Sequence, residues 1–218
     1  FAMVTSLEDV KEAVEFIGFP CYLKYTQRHI EAVSSHLILY SEADYEAAQD
    51  KIALGTCILE AWIPSEKVVS LSVVRNERGE LLVYPPFEQV QSSAVSGTQV
   101  RYPVKLHEEV EREIRRLGRY LVETLALVGC MTIDFLVTSA GVVYINSVEI
   151  GAKDAAMFTL GAMSLSCYEA MVRSVVGLPL PSLVPLADAA IALPLEALNA
   201  DQVMTQYMLR TDWGFALF

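Results

Sequence analysis

Two pairs of short apolar runs, each folded back on itself by a tight turn, constrain this chain more than any other feature. In the first pair Val69, Leu71 and Val73 alternate with Ser70 and Ser72, which reads as a strand with one buried face. Residues 77–80, with Gly79 among them, turn that strand back into an apolar run over 81–84. Residues 131–137 and 142–146 repeat the arrangement around Ser139-Ala140-Gly141. Antiparallel hairpins mixed with helices, without a regular strand–helix–strand alternation, predict an α+β fold rather than a doubly wound sheet.

The helices declare themselves by their ends and their periodicity. Ser6 with Asp9 three residues on forms a capping-box signal, and Val10, Ala13, Val14 and Ile17 follow at helical spacing until Gly18 and Pro20 stop the run. Strands are expected over 21–25 and 36–40, then a short helix capped by Ser41 that contains Asp44, Tyr45 and Ala48. Residues 56–63 are almost uninterruptedly apolar up to Glu60, as a strand covered on both faces would be. Residues 92–98 read as a small-residue loop. The longest helix is predicted over 107–128, with Ile114, Leu117, Leu121, Leu125 and Val128 as its apolar stripe and Arg112, Arg115, Arg116 and Arg119 on a solvated face. A helix over 161–176, a short strand over 189–193 and a helix over 201–209 complete the chain.

Composition narrows the function classes. Apolar residues make up 53% of the chain, enough for a sizeable core, yet no apolar run reaches the length of roughly 18–20 residues that a membrane span needs. A net charge of −11 argues against nucleic acid or an anionic membrane as partner. Cys21, Cys57, Cys130 and Cys167 stand far apart without metal-ligand spacing, so buried thiols in a reducing cytosol are expected. The first twenty residues lack a basic stretch followed by an apolar core, which is no secretory signal. A cytoplasmic protein is therefore expected.

Five stretches in order carry a family likeness. They are Gly18-Phe19-Pro20-Cys21-Tyr22-Leu23-Lys24; Cys57-Ile58-Leu59-Glu60; Arg75 through Glu88, with Tyr84-Pro85-Pro86-Phe87-Glu88 at its end; Val128-Gly129-Cys130-Met131-Thr132-Ile133-Asp134-Phe135; and Ser166 through Leu180. The series resembles the ATP-grasp domain of the carboxyaminoimidazole ribonucleotide synthetase family, the ATPase subunit of phosphoribosylaminoimidazole carboxylase. That resemblance implies two lobes of antiparallel sheet and helices around a cleft. The smaller lobe would cover about 21–63 and the larger about 64–185. A C-terminal segment would begin at 186–218, and the family's N-terminal substrate domain would lie outside the chain. It implies ATP and magnesium as cofactors, a small-molecule nucleotide or metabolite as partner, and a homodimer. The implied nucleotide-binding residues are Lys24 at a strand end and Glu60, Ala61 and Ile63 on the hinge. The implied metal residues are Asp134 and Asn146, with Glu149 as a substitute ligand.

Several of the family's chemical requirements are missing. Phosphoryl transfer depends on backbone N–H groups that cradle phosphate, on carboxylates that hold magnesium and on basic groups that neutralise charge. Where the family carries a glycine-rich loop, residues 25–35 hold no glycine, although Arg28 and His29 offer cationic or polar contacts. Val68 stands at the position of the family's ribose-binding glutamate. Ser147 stands at the second magnesium carboxylate, Gly151 at an arginine, Lys153 at a histidine and Asp154 at an asparagine. Glu149 lies two residues beyond Ser147, so in an extended strand it shares that face. The expectation is ATP-dependent carboxylation of aminoimidazole ribonucleotide by descent, with activity lost or reduced. The alternative is a non-catalytic ATP-grasp-like domain for ligand binding or protein interaction.

Overall fold

The computed structural model describes residues 1–26, 36–91, 98–194 and 200–215. It separates into two compact units, Phe1–Pro64 and Ser65–Phe218. Segment 27–35, which holds Arg28 and His29, and most of the expected 92–98 loop lie outside the described residues.

The first unit contains β1 (Ala2–Val4), α1 (Leu7–Ile17), β2 (Cys21–Tyr25), β3 (His36–Leu39), a 3-10 turn at Glu42–Asp44, α2 (Tyr45–Ala53) and β4 (Cys57–Ala61). Its strands form an antiparallel sheet in the order β1-β4-β2-β3. The capping box is closed from both sides: Asp9 N–H donates to Ser6 Oγ at 3.1 Å, and Ser6 N–H donates to Asp9 Oδ2 at 3.0 Å. Gly18, at φ 78°, ends α1 in a backbone conformation that a side chain would resist. Val10 and Ala13 of α1 and Ala48 of α2 pack on Cys21, Leu23, Leu39, Cys57 and Leu59, which share one face of the sheet. The alternation of strand side chains then sends Tyr22, Lys24, Ile58 and Glu60 to the other face. Contrary to the expected double cover, only Cys57 and Leu59 of β4 are buried.

The second unit contains β5 (Lys67–Arg75), β6 (Leu81–Val83), β7 (Phe87–Gln91), β8 (Thr98–Tyr102), α3 (Glu108–Thr124), β9 (Gly129–Val137), β10 (Val143–Ile150), a 3-10 turn at Asp154–Phe158, α4 (Thr159–Ala162), α5 (Cys167–Val175), β11 (Ala190–Ala192) and α6 (Ala200–Leu209). One sheet runs β10-β9-β5-β7-β8-β11, with β6 also paired to β5. At its centre β5 and β9 stay in register from Lys67 opposite Val137 to Arg75 opposite Gly129. One face packs Val69, Leu71, Val73, Met131, Ile133 and Phe135 against Val110, Ile114 and Val122 of α3. The other carries Val74, Phe87 and Cys130 against Phe158, Cys167 and Ala170. Both faces are therefore covered, and Ser70 and Ser72 are buried rather than solvated; Ser72 Oγ lies 3.2 Å from the Thr132 hydroxyl.

Two helices differ from expectation. The inward line of α3 is Val110, Ile114, Gly118 and Val122, flanked by Leu117 and Leu121, while Leu125 and Val128 are exposed. Gly118 sets that rotation, because a Cβ there would run into Leu71 and Val73 of β5. The arginines behave as expected: Arg112, Arg115 and Arg116 pair with Glu108, Glu111 and Glu113 of the same helix. The helix predicted over 161–176 is broken between α4 and α5. There Met163 forms a bridge with Pro185, Ser164 N–H donates to the Val184 carbonyl, and Ser166 caps α5. No helix among the described residues is long and apolar enough to cross a membrane.

Candidate functional site

The polar residues of the second unit converge on Asp134. It sits in the middle of β9, opposite Ser70 of β5 on one side and Ser147 of β10 on the other. Ser147 reaches that place through a β-bulge. Ile145 pairs with Phe135 and Ser147 with Asp134, so Asn146 is an extra residue. In a regular strand Ser147 would share the face of Ile145, the α3 side; the bulge transfers Ser147 and Glu149 to the face of Asp134. Asn146 itself is exposed and stands outside the cluster.

Four donors converge on the Asp134 carboxylate. Oδ1 accepts from Ser70 Oγ at 2.6 Å and Gln89 Nε2 at 2.9 Å. Oδ2 accepts from Ser147 Oγ at 2.9 Å and Lys153 Nζ at 2.7 Å. Lys153 Nζ also lies 2.6 Å from Glu149 Oε1, so one ammonium joins two carboxylates. The path of the chain aims it there. Gly151 turns the backbone at φ 117°, its N–H donates to the Cys130 carbonyl, and its own carbonyl accepts from the Thr132 hydroxyl. Tyr168 OH then donates to the Lys153 carbonyl at 2.8 Å. Burial, with Asp154 nearby, pushes that phenol up to about 12, so it keeps its proton and continues to donate.

The nucleotide candidates of the first unit are arranged more openly. Lys24 Nζ pairs with Glu60 Oε2 at 2.5 Å, on the sheet face away from α1 and α2. The ammonium also lies 5.5 Å from the Tyr22 ring centroid, and Tyr22 meets His36 edge to face. Ala61 is the exposed last residue of β4, and Ile63 is half-buried just beyond it.

Magnesium does not fit the Asp134 site as it stands. A carboxylate offers about four lone-pair directions, and all four at Asp134 are taken by the donors named above. Glu149 is engaged by the same lysine, and among the described residues no group of three or more His, Cys, Asp or Glu could hold a metal. Val68, where the resemblance implies a ribose-binding carboxylate in the family, is a hydrocarbon on the same sheet face as Asp134. Of the expected metal residues, Asp134 and Glu149 are brought together and Asn146 is not. Ser70 and Gln89 are members that sequence reasoning missed; the polar alternation within an apolar strand was the available signal for Ser70.

Residues 1–168 match the ATP-grasp domain, and the chain belongs to the ATP-grasp family. Within that class its relatives are N5-carboxyaminoimidazole ribonucleotide synthases. The Bacillus subtilis enzyme of that name is 26% identical over 180 residues, covering 83% of this chain and 47% of its own. The crystal structure of an ADP complex of N5-carboxyaminoimidazole ribonucleotide synthetase is 26% identical, with a TM-score of 0.86 over 95% of this chain and 54% of that one. The Thermotoga maritima synthetase gives 26% identity and a TM-score of 0.70 over 84% and 45%. The chain thus spans about half the length of these relatives.

Proposed function

We propose that this chain is the ATP-grasp portion of a protein descended from N5-carboxyaminoimidazole ribonucleotide synthases, in which magnesium-dependent turnover of ATP is lost or strongly reduced. One observation carries the reading: every acceptor direction of Asp134, the carboxylate that the resemblance assigns to the family's metal site, is taken by the protein's own donors. The site is filled from within and offers a metal no open coordination position. The substitutions at Val68, Ser147 and Gly151 and the glycine-free stretch 25–35 support the same conclusion. The four cysteines are buried, and Cys130 and Cys167, far apart in the sequence, bring their sulfurs to 3.4 Å. The chemistry that remains is that of a binding or scaffolding domain.

The test is calorimetric titration with ATP and MgCl2, together with ADP release in the presence of aminoimidazole ribonucleotide and bicarbonate. A hydrogen bond to a charged group contributes about 1.5–3 kcal/mol, so loss of two such contacts weakens affinity roughly a thousandfold. Magnesium-dependent ATP binding no tighter than about 1 mM is expected. Micromolar binding with steady ADP release would overturn the proposal.

A further inference from the structure

Lys153 has a charge environment that an ordinary surface lysine lacks. Its ammonium contacts carboxylate oxygens of two strands, Asp134 of β9 and Glu149 of β10, at 2.7 and 2.6 Å. Three independent features place it there: the bulge at Asn146 turns Glu149 to this face, the positive φ of Gly151 reverses the chain, and the Tyr168 hydroxyl holds the Lys153 carbonyl. Two carboxylates side by side and largely buried need a cation between them. A divalent ion is the usual answer where oxygen ligands converge. Here the cation is covalently attached to the chain.

We propose that Lys153 is the resident cation of this site: its ammonium takes the place of a divalent ion between Asp134 and Glu149, and the unmodified chain binds no divalent ion there. The proposal rests on the reading above for the ancestry of the site. Lys153 supplies one positive charge to the two carboxylates. The three hydrogen bonds that Asp134 receives from Ser70, Gln89 and Ser147 disperse the charge of that carboxylate. Removal of the ammonium leaves two carboxylates and the Ser147 hydroxyl facing the space it occupied, which is a hard oxygen set suited to manganese or magnesium.

Manganese titration followed by electron paramagnetic resonance tests this on the whole chain. The unmodified chain is expected to show no manganese site at Asp134 tighter than about 1 mM. Lys153→Ala is expected to bind manganese at least about tenfold more tightly, competitively with magnesium, and Lys153→Ala with Asp134→Asn is expected to lose that site. Should Lys153→Ala fail to fold in chelator, refolding in millimolar manganese is the supporting result; Lys153→Gln, which keeps the volume, provides a second carrier of the same test. The proposal is overturned if the unmodified chain binds manganese at Asp134 as tightly as the variant. It is also overturned if a folded Lys153 variant binds none. Magnesium-dependent ATP turnover by the unmodified chain would sink the functional reading, whereas the manganese comparison bears only on the lysine.

Discussion

Each unit of this protein holds a lysine against carboxylate, and the two arrangements are not equivalent. Lys24 meets one partner, Glu60, with side-chain exposures of 33% and 35%. Lys153 meets two, and the exposures fall to 19% for the lysine, 9% for Asp134 and 23% for Glu149. A half-exposed pair keeps much of its hydration, so either partner can leave and find water. In the buried triad Asp134 has given up water for fixed donors, and loss of the lysine removes its cationic partner. The same ion-pair chemistry is therefore an exchangeable contact in one unit and a structural commitment in the other. Lys24 can leave Glu60 at small cost, whereas Lys153 is held.

The comparison makes predictions of graded size. Lys153→Met should cost about 3 kcal/mol in urea unfolding, towards the low end for a broken buried pair because the lysine retains some exposure. A loss below about 1 kcal/mol would erase the distinction between the units. Ser147→Ala removes one hydrogen bond to the Asp134 carboxylate and should cost about 1.5 kcal/mol. A null effect would show that the bulge does not hold its serine against Asp134 in solution. Lys24→Met should change stability by less than about 1 kcal/mol, and a larger loss would mean that the first unit depends on its ion pair as the second does. Leu125→Ala, at an exposed helix end, should lie within about 0.5 kcal/mol of the parent, which calibrates the scale.

Much of the architecture was legible because it is written in local signals. Ser6 with Asp9 announces a capping box from sequence spacing and Ser41 announces the next cap, and both close in the structure, the second with Asp44 as its reciprocal partner. The hairpins around Gly79 and Gly141 follow from alternation and turn chemistry, and both glycines adopt positive φ. The face of α3 was less legible. Gly118 carries no hydrophobic side chain and drops out of any apolar stripe, yet its missing Cβ is what lets the helix settle onto Leu71 and Val73. The strands β7 and β8 escaped because Glu88, Gln89, Gln99 and Arg101 interrupt their apolar pattern. At the site, Asp134 and Glu149 could be placed near each other from strand spacing. The closed shell could not, because it requires Gln89 from β7 and a lysine returned by the turn at Gly151.

The extra residue at Asn146 makes this strand tolerant of shortening at one point. A substitution alters one side chain and leaves its neighbours where they were. Deletion of the Asn146 codon would join Ile145, opposite Phe135, directly to Ser147, opposite Asp134, and the ladder would close into regular pairing. Ser147 and Glu149 would keep the face of Asp134, and Val148 and Ile150 would keep the oily side. The bulge residue is thus a spare, and a lineage could drop it without rebuilding the polar face.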